Sequence, residues 1–270
     1  MRTGRHGALP TWCPPEVSEL LRELLAVVSR ALGDNLLGFY LRGSLALGDF
    51  DPATSDADIL VVTNQPVSEP EFAALAALHN RIPAGHNPNE YHYEISYIDR
   101  ASLKRFAPGE RRHPTTGTDW SFDWAEHRDN WVLERWTVRE RGVALSGPDP
   151  KTLIDPISAE DLRAAVRAEL EARVRDWAGG ATAPEWLLPR YYQTFEVETI
   201  CRALYTLVRG ELPTRPRAVA WALETLPEPW RSLVERSQAW RADGTLDPST
   251  VSEVMNLARW AASRSEAGKP

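Results

Sequence analysis

The stretch that decides the fold is GFYLRGSLALGDFDPATSDADILVV, residues 38–62. An apolar run ends at Gly43 and Ser44, a short helix-like segment follows, and two aspartates, Asp56 and Asp58, introduce a second apolar run. Side chains at i and i+2 of a strand point to the same face of a sheet. The pattern therefore predicts two carboxylates side by side on a buried strand, a pair that repels itself unless a positive group compensates it.

Mg²⁺ is a positive group that suits such a pair, because it takes oxygen ligands and is commonly held by one or two carboxylates together with substrate phosphates. The small residues Gly43 and Ser44 agree with this interpretation, since they let backbone N–H groups approach a phosphate closely. Taken alone, a Gly-Ser turn is more often purely geometric, and Asp-Ala-Asp can be a solvated loop cap. The direct step from Asp58 into ILVV favours the metal interpretation.

A third carboxylate comes from EYHYEISYI, residues 90–98. Aromatic and apolar residues alternate there with polar ones, which is typical of a strand with one polar face. Glu94 lies in the middle of that face, where an unpaired acid is costly. We expect it to be a third metal ligand or a general base that deprotonates a substrate hydroxyl. The alternative is an edge strand with a solvated face.

The sequence around these motifs alternates between helical and extended patterns. Apolar residues at helical spacing predict helices over residues 16–32 and 68–82, and short apolar runs predict strands over residues 36–42 and 58–63. With the strand at 90–98, these elements predict an α/β N-terminal domain that has a mixed sheet with helices.

A segment rich in Pro and Gly, SGPDPKTLIDPIS, separates this half from a second one in which strand patterns do not return. Helical patterns cover residues 159–177, 188–209, 214–225 and 248–264. The second domain is therefore predicted to be an all-α helical bundle. We place the domains at residues 1–155 and 156–270, which suits a chain of 270 residues.

Composition narrows the choice of partner and compartment. The formal net charge of −7 and the lack of a basic stripe argue against nucleic acid and suit a cationic small molecule. Cys13 and Cys201 are far apart, which is typical of free thiols in a reducing compartment. The N-terminal residues lack the apolar core of a secretory signal, and no apolar run is long enough to span a membrane. We expect a cytoplasmic protein.

The order of these motifs resembles a known signature. Gly-Ser, a loop, Asp-x-Asp on a strand and an acid on a later strand are similar to the nucleotidyltransferase superfamily typified by DNA polymerase β. The chain as a whole resembles the aminoglycoside adenylyltransferases that modify streptomycin and spectinomycin. RERGVALSGP (residues 139–148) resembles the segment that closes their first domain, and ETICRALYTLVRGELPTRPRAVAWALETLP (residues 198–227) resembles part of their helical C-terminal domain.

The resemblance implies an activity and its cofactors. The chain would transfer AMP from its co-substrate ATP to a hydroxyl of an aminoglycoside or aminocyclitol antibiotic, with Mg²⁺ as cofactor, and would give antibiotic resistance. It would act as a monomer. The resemblance assigns nucleotide binding in the first domain to Gly43, Ser44 and Ser55. It assigns metal binding to Asp56, Asp58 and Glu94, and the role of base to Glu94.

Further residues are implied in the C-terminal domain. Arg202 and Arg215 match an arginine and a lysine that contact ATP phosphates in the family, and Arg217 is a neighbour that could substitute. The contacts with the cationic drug are assigned to Trp120, Trp177 and Glu185, the last within an acidic-Trp context, Glu185-Trp186. One departure concerns the drug: LLPRYYQTF lacks the further acid that streptomycin-modifying members carry at this point. Spectinomycin, another aminocyclitol or a different acceptor therefore stays open as substrate.

Two other functions remain compatible with the same motifs. One is a nucleotidyltransferase of this fold that modifies a protein or an RNA, which predicts no drug-binding tryptophan and acid. The other is a degenerate, nucleotide-binding non-enzyme. The presence of all three acids argues against degeneracy.

Overall fold

The computed structural model describes residue 11 and residues 13–52, 55–81, 92–107, 109, 112–116, 121–128, 130–178 and 184–266. The chain divides into two compact units, Met1–Pro156 and Ile157–Pro270. Over the described ranges, no helix has the length and apolar character needed to cross a bilayer. The predicted helical end at Ile82, the first residues of the predicted strand 90–98, and Trp120 lie outside the described residues.

The first unit is built around a mixed sheet. In the part of the chain that the structure describes, the sheet has six strands in the order β5-β4-β3-β2-β1-β6, with β2 and β3 parallel and the other neighbours antiparallel. The strands are β1 (Leu36–Leu41), β2 (Ala57–Thr63), β3 (Tyr93–Asp99), β4 (Arg112–Thr116), β5 (Phe122–Glu126) and β6 (Val143–Ser146). The helices are α1 (Pro15–Leu32), α2 (Gly43–Leu47), α3 (Glu69–Arg81), α4 (Arg100–Lys104) and α5 (Asn130–Arg141).

The two parallel strands form the buried centre of this sheet. In β2, ADILVVT is rich in β-branched residues and buries all but one of its side chains, that of Asp58. In β3, Glu94 is likewise the one side chain that is not fully buried. The helix α1 closes one side of the core, because Val17, Leu21 and Leu24 recur at helical spacing and are completely buried. Each central strand thus carries a single accessible acid.

The strands β4, β5 and β6 are absent from the sequence-based assignment. Their sequences, RHPTT, FDWAE and VALS, are short, and the first is polar. They are strands because neighbours supply hydrogen bonds: β4 pairs with both β3 and β5, and β6 pairs with the far edge of β1. Tertiary pairing of this kind leaves little periodicity in the sequence.

The second unit is helical, so the predicted fold class, an α/β domain followed by an all-α one, is confirmed. Three helices, α6, α7 and α10, pack against one another, and α8 and α9 pack against α7. Their bounds are α6 (Ala159–Ala178), α7 (Arg190–Arg209), α8 (Arg215–Thr225), α9 (Trp230–Ser237) and α10 (Pro248–Glu266). The helix α9 is not among the predicted helices, because it is short and its buried apolar side chains are only Leu233 and Val234.

Candidate functional site

Two predicted acids meet at the centre of the sheet. Asp58 and Glu94 are each the second residue of their strand, and they lie in register on the parallel pair β2 and β3. Asp56 stands immediately before β2 rather than on it. Its charge still acts on Glu94, where it raises the carboxyl pKa. The structure therefore pairs Asp58 with Glu94 and leaves Asp56 close enough for its charge to act on Glu94, whereas the predicted position of Asp56 on the strand is wrong, because β2 begins one residue later, at Ala57.

Gly43 begins α2 directly against one of these acids. Its φ of 58° is in the left-handed region, and a Cβ at this position would lie 1.8 Å from Oδ2 of Asp58. The preceding residue, Arg42, donates its backbone N–H to the carbonyl oxygen of Asp58 at 2.9 Å. Only glycine satisfies both the backbone angle and the space, because it has no Cβ. The Gly-Ser turn is thus tied to the carboxylate through direct contact.

Arg42 is a member of the site that the sequence analysis missed. It follows β1, is only 6% exposed, and turns its guanidinium toward three carboxylates. Its Nη1 lies 2.7 Å from Oε2 of Glu134 on α5 and 3.9 Å from Oδ1 of Asp58, and its Nη2 lies 3.6 Å from Oε2 of Glu94. The sequence signal was an arginine at the end of an otherwise apolar strand, immediately before Gly43.

The electrostatics of this cluster are dominated by negative charge. Partial burial raises the pKa of the Glu94 carboxyl; Arg42 opposes this shift, and Asp56 and Glu134 add to it. Burial opposes the charge on Arg42, but Glu134, Asp58 and Glu94 outweigh that effect and raise its pKa, so the guanidinium stays charged. Three carboxylates thus lie around the Arg42 guanidinium, and Asp56 adds a further negative charge near Glu94.

The carboxylate oxygens of this cluster suit a hard divalent cation. The oxygens of Asp56, Asp58 and Glu94 are the ligand type that Mg²⁺ takes, and the excess negative charge favours a cation. Over the ranges that the structure covers, however, no three His, Cys, Asp or Glu side chains are grouped closely enough to hold a metal ion. The predicted metal set fits the chemistry of the site and stays a prediction.

The predicted nucleotide-binding serines, Ser44 and Ser55, both precede Asp56 in the chain. Ser44 is in the first turn of α2, and its carbonyl accepts the backbone N–H groups of Gly48 and Asp49. The hydroxyl of Ser55 accepts the N–H of Asp51 at 3.0 Å, and its own N–H donates to the Asp51 carbonyl at 2.8 Å. Ser55, which directly precedes Asp56, is therefore held in place by two hydrogen bonds with Asp51.

The predicted phosphate-binding arginines both belong to the helical unit. Arg202 lies in the middle of α7, and Arg215 is the first residue of α8. The guanidinium of Arg215 lies over the ring of Phe195 at 5.0 Å, a cation–π contact that orients it. Arg217 is occupied differently: it pairs with Glu211 at 2.8 Å and lies over Tyr205.

The predicted drug-binding residues are placed unequally. Trp177 is 5% exposed and lies beside the Arg173 guanidinium, which makes it a core residue of the helical unit. Glu185 is exposed, and the adjacent Trp186 is 46% exposed. Trp186 belongs to an exposed aromatic patch, which we define as Trp186, Tyr191, Tyr192 and Phe195. The sequence indicated Trp186 only as the residue that follows Glu185, and it did not predict that its indole is accessible. Trp120 lies outside the described residues.

Two family profiles match the chain, one for each unit. The nucleotidyltransferase domain matches residues 21–107, and the aminoglycoside adenylyltransferase C-terminal domain matches residues 152–265. Together they span the sheet motifs around Asp58 and the helices that carry Arg202 and Arg215.

Curated relatives and a solved structure agree with these profiles. An aminoglycoside (3'') (9) adenylyltransferase from Shigella flexneri is 27% identical over 240 residues, which cover 83% of this chain and 86% of the relative. A spectinomycin 9-adenylyltransferase from Campylobacter jejuni is 24% identical over 230 residues, covering 81% and 83%. The crystal structure of spectinomycin adenyltransferase AAD(9) from Enterococcus faecialis with ATP and spectinomycin has a TM-score of 0.72 at 16% identity. It covers 92% of this chain and 99% of that chain, a likeness of fold.

Proposed function

We propose that this chain, which belongs to the aminoglycoside nucleotidyltransferases, transfers AMP from ATP to a hydroxyl of an aminocyclitol or aminoglycoside antibiotic and so confers resistance. The chain is a nucleotidyltransferase enzyme. The observation that carries the proposal is the pairing of Asp58 and Glu94 in register beside the Gly43 turn. The names of the relatives supply the acceptor class.

Glu94 is the group we assign to proton transfer. Its carboxyl is partly exposed, with 42% of the side chain accessible, and its pKa is raised, so it can both reach a substrate hydroxyl and accept its proton. The hydroxyl oxygen forms a bond to the α-phosphorus of ATP while the bond from that phosphorus to the pyrophosphate breaks. The hydroxyl proton passes to a carboxylate oxygen of Glu94.

Asp56, Asp58 and Glu94 are the residues that would hold Mg²⁺. When bound, the ion supplies positive charge against the phosphate oxygens of the nucleotide. Gly43 and Ser44 would position the same phosphates through backbone N–H groups, because the absence of a Cβ at Gly43 lets this turn lie directly against the Asp58 carboxylate. Ser55 supports them by ordering the chain next to Asp56.

Arg202 and Arg215 are assigned to the phosphates of ATP. A guanidinium is permanently charged and offers several N–H donors in one plane, so both arginines suit phosphate oxygens. Arg217 is a weaker candidate, since its guanidinium already pairs with Glu211.

The acceptor is a cation, and the exposed aromatic patch with Glu185 suits it. Glu185 offers a carboxylate to an ammonium group, and the accessible face of Trp186 offers a cation–π contact. We assign this contact to Trp186 in place of Trp177, because the Trp177 indole is buried. Spectinomycin is the preferred substrate over streptomycin, since LLPRYYQTF lacks the extra acid expected for streptomycin.

The test is a screen of aminocyclitols and aminoglycosides with the purified protein, ATP and Mg²⁺. Pyrophosphate release should depend on spectinomycin, and mass spectrometry should find one AMP added to the drug. Asp56→Asn is the control, because it removes one charge at the predicted metal site; wild-type transfer by this variant would contradict the metal assignment. Silence across the panel while ATP still binds would instead indicate a protein or RNA acceptor.

A further inference from the structure

Arg42 is held unequally by the three carboxylates around it. Its closest partner is Glu134 at 2.7 Å, whereas Asp58 and Glu94 are at 3.9 and 3.6 Å. The shortest contact is therefore to an acid outside the predicted metal set. The other two are at distances where the charge attracts but no short hydrogen bond forms.

Two side chains of helix α5 contact the Arg42 guanidinium. Glu134 and Trp131 are three residues apart on α5 and so share a face of the helix. The indole of Trp131 lies 5.8 Å from the guanidinium of Arg42, within cation–π range. The helix α5, which carries Glu134, also packs against α2, the helix that begins at Gly43. Arg42 is thus fixed from the α5 side.

The charge of Arg42 matters because it competes with a metal ion for the same carboxylates. A guanidinium that moved onto Asp58 and Glu94 would neutralise much of the negative charge that attracts a divalent cation. Glu134 opposes that movement, because it binds the guanidinium at a shorter distance and adds a further negative charge nearby.

We propose that Arg42 and Glu134 form an internal charge pair that sets the divalent-cation affinity of the carboxylate site, with Glu134 holding Arg42 away from Asp58 and Glu94. This inference rests on the proposed function, because it places the cation at those acids. Arg42 and Glu134 are positioning residues: they act on the cation through the carboxylates. The Arg42 guanidinium is thus an internal counterion of the carboxylates, and Glu134 on α5 controls its position.

The experiment is a titration of the full chain with Mn²⁺, followed by electron paramagnetic resonance in the absence of ATP and drug. Arg42→Gln should bind Mn²⁺ about tenfold more tightly than wild type, and Glu134→Gln about tenfold more weakly, as expected for one charge removed at short range. In the Arg42→Gln background, Glu134→Gln should have a much smaller effect, since the guanidinium that Glu134 restrains is gone.

The controls separate this role from a merely structural one. Arg42→Lys keeps the charge and should restore Mn²⁺ affinity close to that of wild type. Arg105→Gln removes the same charge from the same unit, at a side chain that is 81% exposed, and should leave Mn²⁺ binding unchanged. Circular dichroism of each variant identifies those that fold.

Each outcome decides the inference. Equal Mn²⁺ affinities across the folded variants, a reversed order, or additive effects of the two substitutions would overturn it while leaving the proposed function intact. A wild type that binds no Mn²⁺ would overturn it together with the metal assignment. Failure of AMP transfer to any drug would leave the predicted order of Mn²⁺ affinities untouched, because neither ATP nor drug enters the titration.

Discussion

The two faces of β3 bury polar groups in opposite ways. On one face, Tyr93 and Tyr97 are buried, and their hydroxyls lie 3.0 and 2.9 Å from Nδ1 and Nε2 of His79. The three side chains form a neutral cluster in which both ring nitrogens have partners. On the other face, Glu94 lies in register with Asp58 beside one guanidinium, that of Arg42, and negative charge is in excess.

This difference separates a stabilising cluster from a functional one. Buried polar groups that satisfy one another add specificity to the core at little cost. A carboxylate pair with too little positive charge lowers the stability of the fold, and such groups are typical of sites that bind a ligand of opposite charge. We therefore expect substitutions on the Glu94 face to reduce activity and substitutions on the His79 face to reduce stability.

The largest effect is expected for Glu94→Gln. The amide keeps the shape of the side chain but cannot accept the hydroxyl proton, so AMP transfer should fall by about 10²- to 10⁴-fold. The thermal midpoint should be equal to that of wild type or higher, because one repelling charge is removed. Pyrophosphate release and a thermal melt measure the two quantities. Tyr93→Phe, on the opposite face of the same strand, is the control: it should lower stability and keep the rate.

The second largest effect is expected for Gly43→Ala, in the turn beside Asp58. In Gly43→Ala, the new Cβ would lie 1.8 Å from Oδ2 of Asp58, so the carboxylate must move, and we expect AMP transfer to fall by roughly 100-fold. Gly48→Ala is the matched control, since Gly48 also has a positive φ but nothing lies within 4 Å of the added Cβ. It should cost about 1 kcal/mol of stability and leave the rate unchanged. Equal rates of AMP transfer in Gly43→Ala and Gly48→Ala would contradict the expected clash between the new Cβ and Asp58.

The opposite faces of β3 also show what sequence can and cannot predict. Glu94 and Asp58 were predictable, because period-2 alternation and an acid ahead of an apolar run are local patterns. Arg42 and Glu134 were not, since 92 positions separate them and only the packing of α5 brings them together. Tertiary packing also explains why the burial of Trp177 could not be predicted from the sequence. The family resemblance assigned Trp177 to the drug, but the packing of the helical unit buries its indole and leaves that of Trp186 accessible.

A smaller effect, on stability alone, is expected for His79→Phe. The substitution leaves the hydroxyls of Tyr93 and Tyr97 without their partner, so the free energy of unfolding should fall by about 2 to 4 kcal/mol. Urea denaturation measures this change. Replacing both tyrosines by phenylalanine in the same variant should recover part of the loss, because two apolar rings need no hydrogen bond. A loss of AMP transfer in folded His79→Phe would break the assignment of this face to stability.

The smallest effect is the pH dependence of the same cluster. Burial lowers the pKa of His79 to about 4, whereas a histidine in the unfolded chain titrates near pH ~6.5. Between these values the unfolded state binds more protons, so the stabilisation is complete above pH ~6.5 and is lost progressively as the pH falls toward 4. Tyr93 and Tyr97 stay neutral in this range, since burial raises their pKa values.

Lowering the pH from about 6.5 to about 5 should therefore reduce the unfolding free energy of wild type by roughly 2 kcal/mol through His79. His127, whose pKa burial and the neighbouring His113, Arg135 and Arg42 lower to about 2, acts in the same direction. His79→Phe should accordingly show a shallower decline between these pH values, which urea midpoints at both pH values can measure. Tyr93→Phe retains the imidazole and should keep most of the wild-type slope. If His79→Phe and wild type decline in parallel, His79 is not the group that couples this face of β3 to protons.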